Sequence, residues 1–231
     1  MKLALLPWAY ATAAHSAAST ISAVDSLVDW TGRVVTNNDD GTVDFDWIGV
    51  SARVNVVNAS YVRVSLSTPQ SRGSRFKSYV EDQGYLFYPQ TEFFAESDPS
   101  MGIHTLYATN SPVQSSVAIT LENVVGPQYN TGVTTVSSFI TDGVFTELPP
   151  AKQFGGNDNR VIEFVGDSIT AGTNIVHGDM ELFCADAGVQ SDGSQSYYSR
   201  LCHKLNAACS VIAVGGKCMM KECADVQKGD L

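Results

Sequence analysis

The ten residues from Val161 to Thr170 read VIEFVGDSIT, and they decide how the second half of the chain folds. Their first half is a short, mostly apolar run of the kind that parallel sheets bury on both faces. A helical pattern follows at about residues 194–208, and a second apolar run follows at residues 209–214. Strand, helix and strand in this order form a βαβ unit, so this part of the chain is predicted to be α/β.

The predicted helix places its apolar residues at i, i+3, i+4 and i+7, which gives a single apolar stripe. The stripe consists of Tyr198, Leu201, Cys202 and Leu205.

Upstream, residues 34–140 alternate between apolar and polar side chains, as in Val43-Asp44-Phe45-Asp46-Trp47. Such alternation buries one face of a sheet and leaves the other face exposed to solvent. Further strands are expected around Tyr85–Tyr88, Ile103–Tyr107, Val117–Leu121 and Thr135–Ile140. Many short strands separated by turns predict an all-β, jelly-roll-like sandwich. The densest basic stretch, Arg72, Arg75 and Lys77, is interpreted as a solvated loop.

These patterns divide the chain into a sandwich at residues 25–147, a linker at 148–159 and an α/β domain at 160–231. The linker contains Pro149-Pro150 and a Gly/Asn-rich run, which carry loop chemistry. Residues 1–18 have the layout of a secretory signal peptide, although a buried N-terminal segment is the alternative. The single sequon, Asn58-Ala59-Ser60, lies at a predicted turn and is a candidate glycosylation site, which agrees with a secreted, extracellular protein.

Composition excludes several classes of function. The 231 residues are 44% hydrophobic and 16% charged, with a net charge of -10. A chain with so few basic side chains is not expected to bind nucleic acid, and the apolar N-terminal run is too short to span a membrane. All five cysteines lie in the last quarter of the chain without C-x-x-C spacing. Disulfides of unspecified pairing are therefore expected there, and no metal.

The chemistry is predicted at Gly166-Asp167-Ser168. Ligands bind at the carboxyl ends of parallel strands, and Gly166 allows a sharp turn there. A serine near a helix start could attack an ester carbonyl while its own N–H holds the oxyanion. The alternative is that Asp167 and Ser168 simply cap the next helix.

The block from Ile162 to Gly172 resembles the first signature of the SGNH (GDSL) hydrolase superfamily. Upstream, Trp30-Thr31-Gly32-Arg33 and the stretch from Phe45 to Val50 resemble the N-terminal jelly roll of carbohydrate esterase family 2, which includes acetyl xylan esterases. The resemblance implies a two-domain protein, with the sandwich followed by a flavodoxin-like SGNH domain. It also implies a hydrolase that removes acetyl groups from plant-type polysaccharide or oligosaccharide without a metal or cofactor.

By this resemblance Ser168 is the nucleophile, and its N–H is the first oxyanion donor. Gly216, in the run Val214-Gly215-Gly216-Lys217-Cys218, corresponds to the second oxyanion donor, although an ordinary turn at the end of a strand is the alternative. Cys218 stands where the family often has a second glycine. A phosphate-binding loop is excluded, because Val211 occupies the position where that motif needs glycine.

The family's late histidine and its third-block asparagine have no counterpart after Ser168. The Gly155-Gly156-Asn157-Asp158 run precedes the nucleophile and is interpreted as coincidence. Among the four histidines only His177 could swing near Ser168. We therefore expect a truncated SGNH domain with little or no activity as given, with apolar surface of both its strands exposed and low stability on its own. The alternative function is non-catalytic carbohydrate binding through exposed aromatics among Trp30, Trp47, Tyr85 and Tyr88.

Overall fold

The computed structural model describes residues 17–68, 74–81, 89–95, 102–113, 115–125, 132–148, 161–173, 191–205 and 207–214. These parts are rich in β-strand and contain little helix. One α-helix is described, α1 (Tyr197–Leu205), and a single 3-10 turn, Gly193–Gln195, precedes it. The described strands are β1 Ser19–Ser22, β2 Asp29–Thr31, β3 Val35–Asn37, β4 Thr42–Phe45, β5 Ser51–Val57, β6 Ala59–Ser67, β7 Ser74–Glu81, β8 Pro89–Ala95, β9 Gly102–Val113, β10 Val117–Asn123, β11 Thr134–Thr141, β12 Val144–Thr146, β13 Val161–Gly166 and β14 Ala208–Ala213.

Twelve of these strands form two antiparallel sheets. Sheet A has the order β3-β4-β11-β6-β9, and β1 also pairs with β11. Sheet B has the order β12-β5-β10-β7-β8, and β2 also pairs with β5. One core joins both sheets, which makes this part of the chain a sandwich. Among its largest fully buried side chains are Phe76, Phe139, Leu66, Leu106, Ile119, Leu121, Val43 and Val54.

The predicted alternation is confirmed where it was strongest. Val43 and Phe45 of β4 point into the core, and the strands predicted at 103–107, 117–121 and 135–140 correspond to β9, β10 and β11. The turn at Asn58 is also confirmed, since this residue has a φ of 55° between β5 and β6. The strand predicted at Tyr85–Tyr88 lies outside the described residues.

The interpretation of the basic stretch is wrong. Arg75 and Lys77 lie on β7 rather than in a loop, and they are only 6% and 5% exposed. Because successive strand residues point to opposite faces, Phe76 enters the sandwich core while Arg75 and Lys77 face the other way. Arg72 lies outside the described residues.

The remaining two strands, β13 and β14, pair in parallel, from Val161↔Ala208 to Gly166↔Ala213. They flank α1 in sequence, as the βαβ prediction requires. The apolar stripe is only half correct, because Tyr198 and Cys202 are buried whereas Leu201 and Leu205 are about two-fifths exposed.

Cys202 of α1 forms a disulfide with Cys209 of β14, which supplies one pairing that the sequence left open. The expected exposure of apolar surface holds for one strand only. Val161 and Val165 of β13 are 69% and 70% exposed, whereas Val211 of β14 is buried. None of the described helical segments has the length and apolarity needed to cross a membrane.

Candidate active site at the end of β13

Ser168 lies two residues beyond the end of β13, at the carboxyl end of the parallel strand pair. Its side chain is partly exposed. Within the described part of the chain, neither its hydroxyl nor its backbone N–H has a hydrogen-bonding partner. The structure therefore places the predicted nucleophile at the sheet edge where ligands of α/β proteins bind.

Residues 167–173, here called the nucleophile turn, form consecutive tight turns. The N–H groups of Ala171 and Thr173 donate to the carbonyls of Asp167 (2.9 Å) and Ser168 (2.9 Å). The exposed Asp167 carboxylate accepts the N–H of Ile169 at 3.0 Å. Asp167 therefore caps a turn, whereas the alternative interpretation had Asp167 and Ser168 cap a helix. The Ser168 hydroxyl takes no part in this capping.

At two positions, in the nucleophile turn and just before it, neighbouring atoms come so close that only glycine fits. A Cβ on Gly166 would lie 2.0 Å from Oγ1 of Thr170, so the turn can fold back over the strand end only if residue 166 lacks a side chain. Gly172 has a φ of +66°, and a Cβ there would lie 2.5 Å from the carbonyl oxygen of Asp192. The nucleophile turn is therefore packed against the segment that contains Asp192.

That segment, Ser191–Tyr198, supports the nucleophile turn through three kinds of contact. The N–H of Asp192 donates to the Gly172 carbonyl at 3.0 Å. The hydroxyls of Thr170 and Tyr197 are hydrogen-bonded at 2.9 Å. A small apolar cluster fills the space between them, made of Ile48, Ala171, Tyr198, Val211 and Ala213.

The same segment also docks on the outer face of sheet B, and we call this junction the seam. Its centre is the Asp192 carboxylate, which is fully buried and accepts a hydrogen bond from the Lys77 ammonium. Arg75 lies 3.8 Å from the same carboxylate and donates to the Ser191 carbonyl at 3.2 Å. The Gly193 N–H donates to the Val124 carbonyl at 2.9 Å. A buried carboxylate is thus compensated by two cations of the sandwich.

Sequence reasoning missed the seam, although a signal was present. Arg75, Lys77 and Tyr79 alternate with Phe76 and Ser78, which is the period of a strand and not of a loop. Buried cations on one face of such a strand require a partner that covers that face.

Other ionisable groups line the seam. Burial raises the pKa of Glu122 to about 7, helped by the nearby Asp192 charge and opposed by the Tyr79 hydrogen bond and by Lys77. Burial and the Glu122 charge also raise the pKa of Tyr79 and, well above its usual value, that of Tyr198. The Tyr198 hydroxyl is buried with no hydrogen-bonding partner among the described residues.

The other predicted site residues are only partly covered. Gly216 lies outside the described residues, two positions beyond Val214, whose N–H donates to the Gly166 carbonyl at 3.3 Å. His177 also lies outside them. Asn58 is exposed on its turn. Among the described residues no group of three or more potential metal ligands is found.

No protein-family model matches the sequence. No curated protein matches it in sequence either. Solved structures do match. A family two carbohydrate esterase from Cellvibrio japonicus superposes with a TM-score of 0.72 at 19% identity, over 89% of this chain and 55% of that one. The chain has the fold of the family two carbohydrate esterases.

Two further structures agree. An acetyl xylan esterase from Butyrivibrio proteoclasticus gives a TM-score of 0.69 at 18% identity, over 87% of this chain and 50% of that one. A family two carbohydrate esterase from Clostridium thermocellum, solved with cellohexaose, gives 0.67 at 18% identity, over 84% and 53%. The chain therefore spans about half the length of these esterases. The resemblance inferred from the two signature stretches is confirmed as a likeness of fold.

Proposed function

We propose that this chain provides the sandwich and the nucleophile region of a carbohydrate O-acetyl esterase, with Ser168 as the nucleophile. The observation that carries the proposal is a partly exposed serine at the carboxyl end of β13, within an esterase fold, whose hydroxyl bonds to none of the described residues. In this proposal β13, α1 and β14 are the opening of an SGNH-type α/β domain that follows a jelly-roll sandwich. The substrate is an acetylated polysaccharide or oligosaccharide, and no cofactor takes part.

The chemistry is acyl transfer in two steps. Oγ of Ser168 attacks the acetyl carbonyl, and the sugar oxygen leaves with a proton, which gives an acetyl-serine. Water then hydrolyses this ester and releases acetate. The oxyanion formed in both steps would be held by the N–H of Ser168, which donates to no described residue, and by the N–H of Gly216.

Both steps need a base that takes the proton from the serine or from water. His104 does not fit this role, because it lies on β9 in sheet A, whereas the nucleophile region docks on sheet B. His15 and His177 lie outside the described residues, as does the side chain of His203. Since the sequence offers no counterpart of the family's late histidine, we propose that these 231 residues alone have little or no esterase turnover.

A second candidate function is non-catalytic carbohydrate binding by the same fold. One related esterase was solved with cellohexaose, and the active site of another displays divergent catalytic and non-catalytic binding functions. Of the four aromatics named from the sequence, Trp47 is the more suitable of the two that the structure describes, since it is only partly buried against the sandwich core. The Arg33 guanidinium lies over its ring, 5.7 Å from the ring centre. Trp30 is less suitable, because its Nε1 donates to the Ala23 carbonyl and its ring packs on Phe45.

We also propose that the protein is secreted. The Cys202–Cys209 disulfide supports this, because disulfides persist in oxidising compartments. The exposed Asn58 of the sequon is accessible to glycosylation.

Chemical rescue tests the esterase. Purified protein is treated with a fluorophosphonate probe, with and without added imidazole as a substitute base, and the labelled peptide is identified by mass spectrometry. We expect imidazole-dependent labelling of Ser168 and none in Ser168→Ala, which lacks only the hydroxyl. Glycan retention on an affinity gel without any labelling would favour the binding protein. Fast Ser168-dependent turnover of an aryl acetate without imidazole would contradict the proposed low activity.

A further inference from the structure

Asp192 connects two parts of the molecule through different groups. Its carboxylate accepts the Lys77 ammonium of β7 and lies 3.8 Å from Arg75. Its backbone N–H donates to Gly172 at the end of the nucleophile turn. The side chain of one residue is therefore held by the sandwich while its backbone holds the turn of the proposed nucleophile.

Three more hydrogen bonds fix the carboxylate itself. Its two oxygens accept the N–H of Ser194 at 3.1 Å, the Ser194 hydroxyl at 2.5 Å and the Gln195 side-chain amide at 3.0 Å. Lys77 also donates to that hydroxyl at 3.1 Å. Because the carboxylate and the two cations, Lys77 and Arg75, are buried, the carboxylate has one position in which all its partners are satisfied. Any loss of the Lys77 charge leaves a buried anion undercompensated, and the segment must shift to find water.

Such a shift reaches Ser168 by a short route. The carbonyl of Gly172 would lose the Asp192 N–H, and the next residue, Thr173, donates its own N–H to the Ser168 carbonyl. The tight packing of Gly172 on the Asp192 carbonyl means that neither can move without the other.

We propose that Asp192 is a positioning residue for Ser168, and that the sandwich sets the geometry of the nucleophile turn through the Lys77–Asp192 ion pair. The inference rests on the proposed function in that it gives the turn a catalytic purpose. Its physical content, a sandwich charge that orders the turn, is independent of that function.

The test is a double-mutant cycle read by amide hydrogen exchange. The variants are Lys77→Met, which keeps the hydrocarbon stem, Asp192→Asn, which keeps the shape, and the double variant. The reporters are the Ala171, Gly172 and Thr173 amides, compared with β10 amides in the sandwich core. We expect each single variant to speed exchange of the turn amides about tenfold relative to β10, since one charged hydrogen bond is lost. The double variant should be no looser than the singles, because both remove the same interaction.

The matched control is Asp142→Asn. Asp142 also accepts several hydrogen bonds, from the Ser60 N–H and hydroxyl and from the Tyr61 N–H, but it lies in the sandwich away from the seam. It should lower global stability without selective loosening of the turn.

Additive effects in the double variant, uniform loosening of the whole chain, or unchanged turn amides would each overturn the inference. Since one single variant changes the sandwich and the other the docked segment, failure of one to fold leaves the other to decide. Exchange requires no acyl transfer, so absent labelling of Ser168 would count against the esterase alone.

Discussion

At β7, sheet B is buried on both of its faces, and the two faces are built from different chemistry. The inner face presents hydrocarbon, such as Phe76 and Ile119, to sheet A. The outer face presents Arg75, Lys77 and Glu122 to the segment around Asp192. Hydrocarbon cores tolerate many partners of suitable size, whereas buried charges accept only partners that satisfy them. The inner face thus supplies stability, and the outer face specifies what docks there.

The two apolar clusters differ in the same way. The sandwich cluster is large and drawn from both of its own sheets. The small cluster beneath the nucleophile turn includes Ile48, which comes from the sandwich, beside Tyr198 and Val211. The nucleophile region therefore needs a sandwich residue, Ile48, to complete its core. Val161 and Val165 of β13 nevertheless remain exposed. We infer that its folding depends on the sandwich and that the reverse dependence is weak.

Cutting the chain between these regions has the largest expected effect. Residues 160–231 expressed alone should show no cooperative thermal transition, because Ile48, Lys77 and Arg75 are removed together and the two strands described for this fragment bury too little area. Residues 17–148 should still melt cooperatively, as followed by circular dichroism. A sharp thermal transition of the 160–231 fragment would show that Ile48, Lys77 and Arg75 are dispensable for its folding.

The contrast also explains what the sequence could reveal. Period-two alternation located β4, because this strand buries Val43 and Phe45 in the sandwich core and turns Asp44 to the other face. The glycine, aspartate and serine after β13 were recognisable because each does something local: Gly166 avoids Thr170, and Asp167 caps the turn.

For the seam, the alternation around Phe76 could have revealed the strand β7, but not the segment that covers its outer face. The burial of Arg75 and Lys77 depends on Asp192, more than 110 residues away in sequence, and a charged side chain on a strand is ordinarily solvated. The half-exposed helix stripe has the same origin, since Tyr198 is buried against Ile48 whereas Leu201 faces away from that contact. Long-range pairing decides both cases, and the local pattern does not show which distant segment provides the partner.

The next largest effect is expected when the free energy of unfolding is measured as a function of pH. This measurement tests the outer face of sheet B alone. Burial raises the pKa of Glu122 from 4.5 to about 7, so between these values the folded state binds more protons than the unfolded state. Stability therefore falls as pH rises from about 4.5 to 7 and is level with respect to this group above 7. The shift corresponds to a loss of roughly 3 kcal/mol across that window.

The variant Glu122→Gln should abolish this slope and be more stable than the parent at pH 8, as measured by urea unfolding at a series of pH values. Asp142→Asn serves as the control. Burial alone would raise the pKa of Asp142, but hydrogen bonds from Ser60 and Tyr61 outweigh it and lower the pKa, so its own titration lies below this window. An unchanged slope in Glu122→Gln would mean that Glu122 is solvated and that the outer face is less tightly covered than the inner one.

The disulfide provides the smallest and most local test. Cys202 and Cys209 close a loop with a sequence separation of 7 and fasten α1 to β14. A loop this short constrains the unfolded chain little, so Cys202→Ser with Cys209→Ser should cost about 2 kcal/mol. Because Cys209 packs against the small apolar cluster and not against the sandwich core, exchange should accelerate in β14 while β10 and β11 amides stay protected. The wild type in reductant should reproduce the double variant. Equal acceleration of exchange in both regions would show that the two clusters unfold as one unit. The sandwich would then not be more self-sufficient than the nucleophile region.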